Sequence, residues 1–197
     1  MSEPFQLDPA KSALLVMDYQ NVLLEHYVPE EQRAGVLANT ARMIAAARAA
    51  HMPVIYVMVA FRQGYPEVSA RNRLFSLVKQ SSAFGRGQTE TAIHPAVAPL
   101  DNEPVVIKHR IGAFSGTALE TLLRSNGIET LVLAGVTTAG VVLSTVRQAL
   151  DLDYRVVVAR DGCADPDHDV HLVLLDKVIA QHAEVVPAQR VVDALPA

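Results

Sequence analysis

Residues Leu133–Leu150 read LAGVTTAGVVLSTVRQAL. An apolar run enters a tight turn of glycine and threonine, and an amphipathic helical pattern leaves it. In open α/β enzymes the chemistry sits at such strand-to-helix turns, outside the carboxyl ends of the strands. The helix here opens with Ala139, Gly140, Val141 and Val142, so the turn has the frame of an active site without a reactive side chain in its first turn.

Outward from this stretch, short apolar runs alternate with longer helical patterns. ALLVMD (13–18), PVIYVMVAF (53–61), PVVIKH (104–109), TLVLAGV (130–136), YRVVVARD (154–161) and AEVV (183–186) have the length and content of strands. Helical patterns cover 30–51, the capped stretch SGTALETLLRSNGI ending at Gly127, 165–182 and QRVVDAL near the end. Residues 62–102, rich in Gly, Pro, Ser and Gln, carry weak periodicity. So long an irregular segment predicts a lid or an oligomer contact. The alternation predicts a three-layer α/β/α protein: a six-stranded, mostly parallel, doubly wound (Rossmann-like) sheet in a single domain over residues 1–197.

Composition agrees with that reading and removes several functions. The 197 residues suffice for a two-sided core, and half are hydrophobic while tryptophan is absent. A net charge of −4 with signs mixed throughout leaves no basic stripe for nucleic acid. The single cysteine, Cys163, excludes an internal disulfide and fits a reducing compartment. The first residues lack the pattern of a signal peptide, and their apolar run is far shorter than the ~20 residues of a membrane span. The expectation is a cytoplasmic protein with a small-molecule substrate and neither nucleic-acid nor membrane partner.

Candidate chemistry lies at strand ends. Asp18 closes the first apolar run and Lys108 the third. Asp18 alone reads as a helix cap and Lys108 alone as an edge-strand guard. Two apolar strands ending in opposite charges favour instead a buried Asp18–Lys108 pair in a shared crevice. The helix after the fourth strand offers backbone N–H groups, an anion or oxyanion site even without a reactive side chain, and Thr137 and Thr138 read as caps for it. Cys163 lies among Asp161, Asp165 and Asp167, which raise a thiol pKa, and reads as structural. His168 and His171 sit three apart with no third ligand in view, so no metal and no cofactor is expected. A threonine nucleophile at Thr137 or Thr138 lacks any histidine placed by the sequence to act as its base.

Four blocks together, MDYQN, KHRIGAFSGTALETL, GVTTAGVVLST and RDGCAD, resemble the isochorismatase-like hydrolases, also called cysteine hydrolases. The resemblance spans about Ala13 to Val186 and implies a homodimer or larger oligomer with an Asp–Lys–Cys catalytic set. Asp18 and Lys108 match the first two; the cysteine position, six residues after Gly135, holds Val141. The resemblance also implies an often-cis peptide between Val136 and Thr137 at the oxyanion hole. Candidate substrate contacts are Gln20, Phe61, Arg62, Arg110, Val136, Thr137, Thr138 and Gly140, with Arg86 a further possible cation. Without a thiol, the family's thiol-free precedent is vinyl-ether hydrolysis of isochorismate, in which a carboxylic acid of raised pKa protonates carbon. The expected function is therefore thiol-independent hydrolysis of a small carboxylated molecule through Asp18 and Lys108. The alternatives are ligand binding without turnover and an amidohydrolase with a different nucleophile.

Overall fold

The computed structural model describes residues 5–196. Its six strands are β1 (Ser12–Met17), β2 (Val54–Val59), β3 (Val105–Lys108), β4 (Thr130–Val136), β5 (Arg155–Ala164) and β6 (Glu184–Val186). They form one sheet in the order β3-β2-β1-β4-β5-β6, and every pairing is parallel. The chain builds outward from β1 to β3, then returns past β1 to start β4 and builds to the other side. The strand order therefore reverses between β1 and β4, where open α/β sheets leave a crevice at their carboxyl ends.

Side chains alternate across each strand, so the sheet feeds two cores. Leu14 and Val16 of β1 pack on one face with α1 (Asn21–Tyr27), α2 (Glu30–Ala49) and α7 (Ala188–Asp193). Ala13, Leu15 and Met17 pack on the other with α4 (Leu119–Ser125) and α5 (Leu143–Asp151). That second core also takes Leu175 and Ile179, which lie just beyond α6 (His168–Val173). Burial on both faces explains why these strands read as continuous apolar runs. In α2, Glu30 and Glu31 stand in the first turn and Arg48 in the last, each sign complementing the helix dipole.

Three elements depart from the sequence reading. β5 runs on to Ala164, three residues past the expected Asp161. The segment 62–102 contains α3 (Arg73–Gln80), capped by Asn72, whose side chain accepts the Phe75 N–H at 3.1 Å. The helix after β4 begins with a wide π-type turn over residues 138–142 before α5. Gly135 lets that turn seat against β1: a Cβ there would lie 3.1 Å from Val142 Cγ2 and 3.2 Å from Met17 Cβ. Among the described residues no helix is long and apolar enough to cross a membrane.

Candidate active site

Register brings the strand ends together. Met17 lies beside Val57 and Gly135, and Val59 beside Lys108, so the residues following β1 and β4 and the end of β3 border one crevice. Asp18 extends the β1 ladder by donating its N–H to Val57 O at 2.8 Å, then adopts a left-handed φ of 62°. That backbone conformation costs a residue with a Cβ about 1–3 kcal/mol and persists only where the surroundings hold it. The carboxylate supplies part of the hold: Oδ2 lies 2.8 Å from Lys108 Nζ, with the two side chains 6% and 2% exposed. Asp18 caps no helix, because α1 starts at Asn21 behind Gln20.

Lys108 is fully engaged. Its other two N–H groups donate to Arg110 O at 3.1 Å and Ile111 O at 3.0 Å, which with Asp18 uses all three ammonium donors. Asp18 Oδ1, by contrast, is buried without a partner among the described residues. Burial raises the Asp18 pKa, and the charge and hydrogen bond of Lys108 oppose that rise without cancelling it. The result is a carboxyl group with one oxygen anchored, the other unpartnered, and a neutral form easier to reach than that of an aspartate in water.

Asp18 and Lys108 open into a cavity of about 260 Å³. Val136, Thr137, Gly140 and Val141 form one wall. Residues the sequence reading did not select form the rest: Leu23 and Tyr27 of α1, Val59, Ile111, Phe84, and Leu74, Phe75 and Val78 of α3. The spacing 74, 75, 78 is the signal that could have found the α3 wall.

The remaining predicted contacts lie elsewhere. Gln20 is spent clamping β1 to its surroundings: it donates to Val59 O (2.8 Å) and Thr91 O (2.7 Å) and accepts the Val59 N–H (2.8 Å). Phe61 is wholly buried behind the cavity, its ring 5.7 Å from that of Phe75. Arg62 is largely exposed and bonds Glu67 Oε1 at 2.6 Å. Arg110 donates to the backbone oxygens of Glu67 and His109. Neither arginine, nor Arg86, lines the cavity, where Lys108 is the sole cation among the described residues. The arginine grip on a substrate carboxylate expected from sequence is therefore not formed there.

At the β4 turn the Val136–Thr137 peptide is cis. The Thr137 hydroxyl accepts the Gly140 N–H at 3.1 Å, as a cap does. Asp165 Oδ2 accepts the Ala139 N–H at 2.7 Å. Two of the amides expected to serve an anion are thus already paired inside the protein. Thr138 is wholly buried off the cavity, its hydroxyl 3.2 Å from Ala164 O and 2.8 Å from His171 Nδ1. A histidine does stand beside a threonine here, contrary to the sequence reading, because 33 residues of chain separate them. The hydroxyl reaches both Ala164 O and His171 Nδ1, the direction of the second bond following the imidazole tautomer, and the pair does not line the cavity.

Cys163 is buried in β5, and desolvation, with the charge of Asp161, pushes its thiol up to about 12 despite a hydrogen bond with the Gly135 backbone. It does not line the cavity. Among the described residues no three His, Cys, Asp or Glu gather as a metal-binding group.

A parallel α/β sheet with an acid–lysine pair at its switch point defines a class of small-molecule enzyme. The Isochorismatase domain family matches residues 12–190, and the chain belongs to that family of hydrolases. It is 29% identical over 191 residues to the isochorismatase family protein YecD of Escherichia coli O157:H7, covering 96% of this chain and 99% of that one. It is 32% identical over 182 residues to the ureidoacrylate amidohydrolase RutB of Methylobacterium radiotolerans, covering 81% and 69% respectively. The crystal structure of a cysteine hydrolase from Pseudomonas syringae pv. phaseolicola 1448A superposes with a TM-score of 0.88 at 25% identity, covering 98% of both chains.

Proposed function

We propose that this protein is a thiol-independent hydrolase in which Asp18 moves the proton and Lys108 anchors it. The observation that carries the reading is the unpartnered Oδ1 of Asp18, a residue lining an apolar cavity, with Val141 where the family's thiol is expected and the sole cysteine outside. Neutral Asp18 gives its proton to the substrate through Oδ1. The carboxylate that forms is stabilised by the ammonium 2.8 Å from Oδ2. Water adds to the resulting cation, and its released proton returns to Asp18.

Hydrolysis of an enol (vinyl) ether fits this equipment. Protonation forms a C–H bond at the vinyl carbon; water captures the oxocarbenium carbon; the hemiketal separates into a ketone and an alcohol. Neither a nucleophilic side chain nor an oxyanion hole is required, which suits a turn whose Ala139 and Gly140 amides are already paired. A positioned general acid contributes typically about 10²–10⁴-fold. The test measures pyruvate release from isochorismate and ketone release from the neutral enol ether 1-methoxycyclohexene, using wild type and Asp18→Asn. Turnover of either compound by wild type, lowered about 10²–10⁴-fold in the variant, is expected. Undiminished turnover by Asp18→Asn removes the role of Asp18.

The paired amides also favour a second reading, ligand binding without turnover. It predicts thermal stabilisation by a ligand with no product from either ether or from N-carbamoyl amides, the latter tested because RutB is an amidohydrolase. The reading extends to a homo-oligomer, supported by exposed Leu74, Leu77 and Ile111; sedimentation analysis tests it.

A further inference from the structure

We infer that the cavity selects a neutral small molecule with an apolar body and a single hydrogen-bond-accepting group, and rejects carboxylates and phosphates; this rests on Asp18 being the reacting group. Three observations converge. First, the one cation in the wall has nothing left to give: Lys108 spends its three donors on Asp18 Oδ2, Arg110 O and Ile111 O. Second, the two arginines nearby are turned onto Glu67 and do not line the cavity: Arg62 bonds its carboxylate and Arg110 its backbone oxygen. Third, the polar side-chain groups that the lining offers a ligand besides the ammonium are neutral or acidic: Asp18 Oδ1, without a partner among the described residues, and the hydroxyls of Tyr27 and Thr137. The Thr137 hydroxyl accepts the Gly140 N–H and has no acceptor for its own proton among the described residues.

An anion entering this space meets aliphatic and aromatic walls and a second carboxyl group, and the one ammonium in the lining among the described residues has no N–H left to bond it. Burying an ionised group without a partner is far costlier than burying a neutral one that finds a hydrogen bond. A neutral oxygen, by contrast, receives a bond from the Thr137 hydroxyl or from protonated Asp18, while its hydrocarbon rests on Leu74, Val78 and Val141. The volume, about 260 Å³, falls just below the range of cavities that hold drug-sized ligands, so the body is about the size of one ring. Isochorismate, with two carboxylates, is then a poorer substrate than a neutral enol ether.

The experiment is calorimetry and thermal shift with matched pairs on the full chain: benzamide against benzoate, and cyclohexanecarboxamide against cyclohexanecarboxylate, at pH 7.5. The amides are expected to bind wild type at least tenfold more tightly than their carboxylates. Ile111→Arg, a change at a half-exposed wall position, is expected to narrow or invert that ratio. Carboxylates that bind wild type as well as or better than the amides overturn the inference. So does the absence of any shift with both amides. Binding is read without turnover, so the two proposals fail separately: amide selectivity in a protein that hydrolyses neither ether leaves the ligand class standing and removes the catalytic reading. Enol-ether turnover combined with carboxylate preference does the reverse.

Discussion

Asp18 and Glu67 are both carboxylates with little exposed side chain, each with one oxygen on a cation and the other without a partner among the described residues. Asp18 Oδ2 lies 2.8 Å from Lys108, and Glu67 Oε1 lies 2.6 Å from Arg62. Their side chains are 6% and 8% exposed, and both Asp18 Oδ1 and Glu67 Oε2 are orphaned. Yet their pKa values move in opposite directions. Burial raises Asp18 more than its lysine lowers it. Burial also pushes Glu67 up, but the hydrogen bond from Arg62, a backbone bond and the charges of Arg62 and His109 outweigh it and hold Glu67 below its ordinary value. Two things differ: Asp18 is enclosed beside a single cation, so desolvation wins, whereas Glu67 lies nearer the surface among Arg62 and His109, so the basic groups win. The direction of a carboxylate's shift is set by the balance between the depth of its burial and the charges that face it.

That contrast yields an ordered set of expectations. The largest effect is on rate. Asp18→Ala should lower kcat/KM about 10²–10⁴-fold, whereas Glu67→Gln should leave it within a few-fold, both measured on whichever enol ether the wild type turns over. Comparable losses from the two would abolish the distinction.

Stability should separate the two cations next. Lys108→Met strands a buried carboxyl group and two carbonyls, and removal of one partner of such a pair costs about 3–5 kcal/mol. Arg62→Ala, at a largely exposed side chain, should cost at most about 1 kcal/mol. Urea denaturation of both variants reads the difference; similar midpoints would contradict it.

Acid titration should pull the two carboxylates apart more gently. The folded pKa of Glu67 is lowered, so its contribution is present above the unfolded value of about 4.3 and is lost as pH falls through the folded one. The destabilisation caused by Glu67→Gln should therefore shrink below about pH 4. Asp18 works in the other sense. Its folded pKa is raised, so the folded state gains relative stability as pH falls through that value toward the unfolded value of about 3.9. A Glu67→Gln difference that stays constant between pH 6 and 3 would show that Glu67 is not held low. The smallest effect belongs to the thiol: Cys163→Ala should leave kcat/KM unchanged, and iodoacetamide should not inhibit the native protein.

Much of this contrast was legible in the sequence, and its gaps have physical causes. Asp18 and Lys108 stood out because a charge closing a continuous apolar strand needs a partner, and register in a parallel sheet brings such ends together. Arg62 and Arg110 lie equally near strand ends, but adjacency in sequence does not say which way a long side chain turns. Glu67, five residues past Arg62, holds both arginines away from the cavity. The cavity's far wall was missed because RLFSLVKQ sits among Gly-, Pro- and Ser-rich stretches, and its apolar residues face the cavity, not the two main cores. The Thr138–His171 contact was hidden for a different reason: it joins the turn after β4 to α6 across neighbouring strands, and no local pattern encodes it.

The pH dependence of kcat/KM for a neutral enol ether, measured in wild type and in Cys163→Ala, tests the central claim most directly. Delivery of a proton by neutral Asp18 predicts a rate that falls as pH rises, along a limb above the ordinary carboxylate range and identical in the two proteins. A rate that instead climbs toward alkaline pH, and is lost in Cys163→Ala, would assign the chemistry to a thiolate and contradict the account.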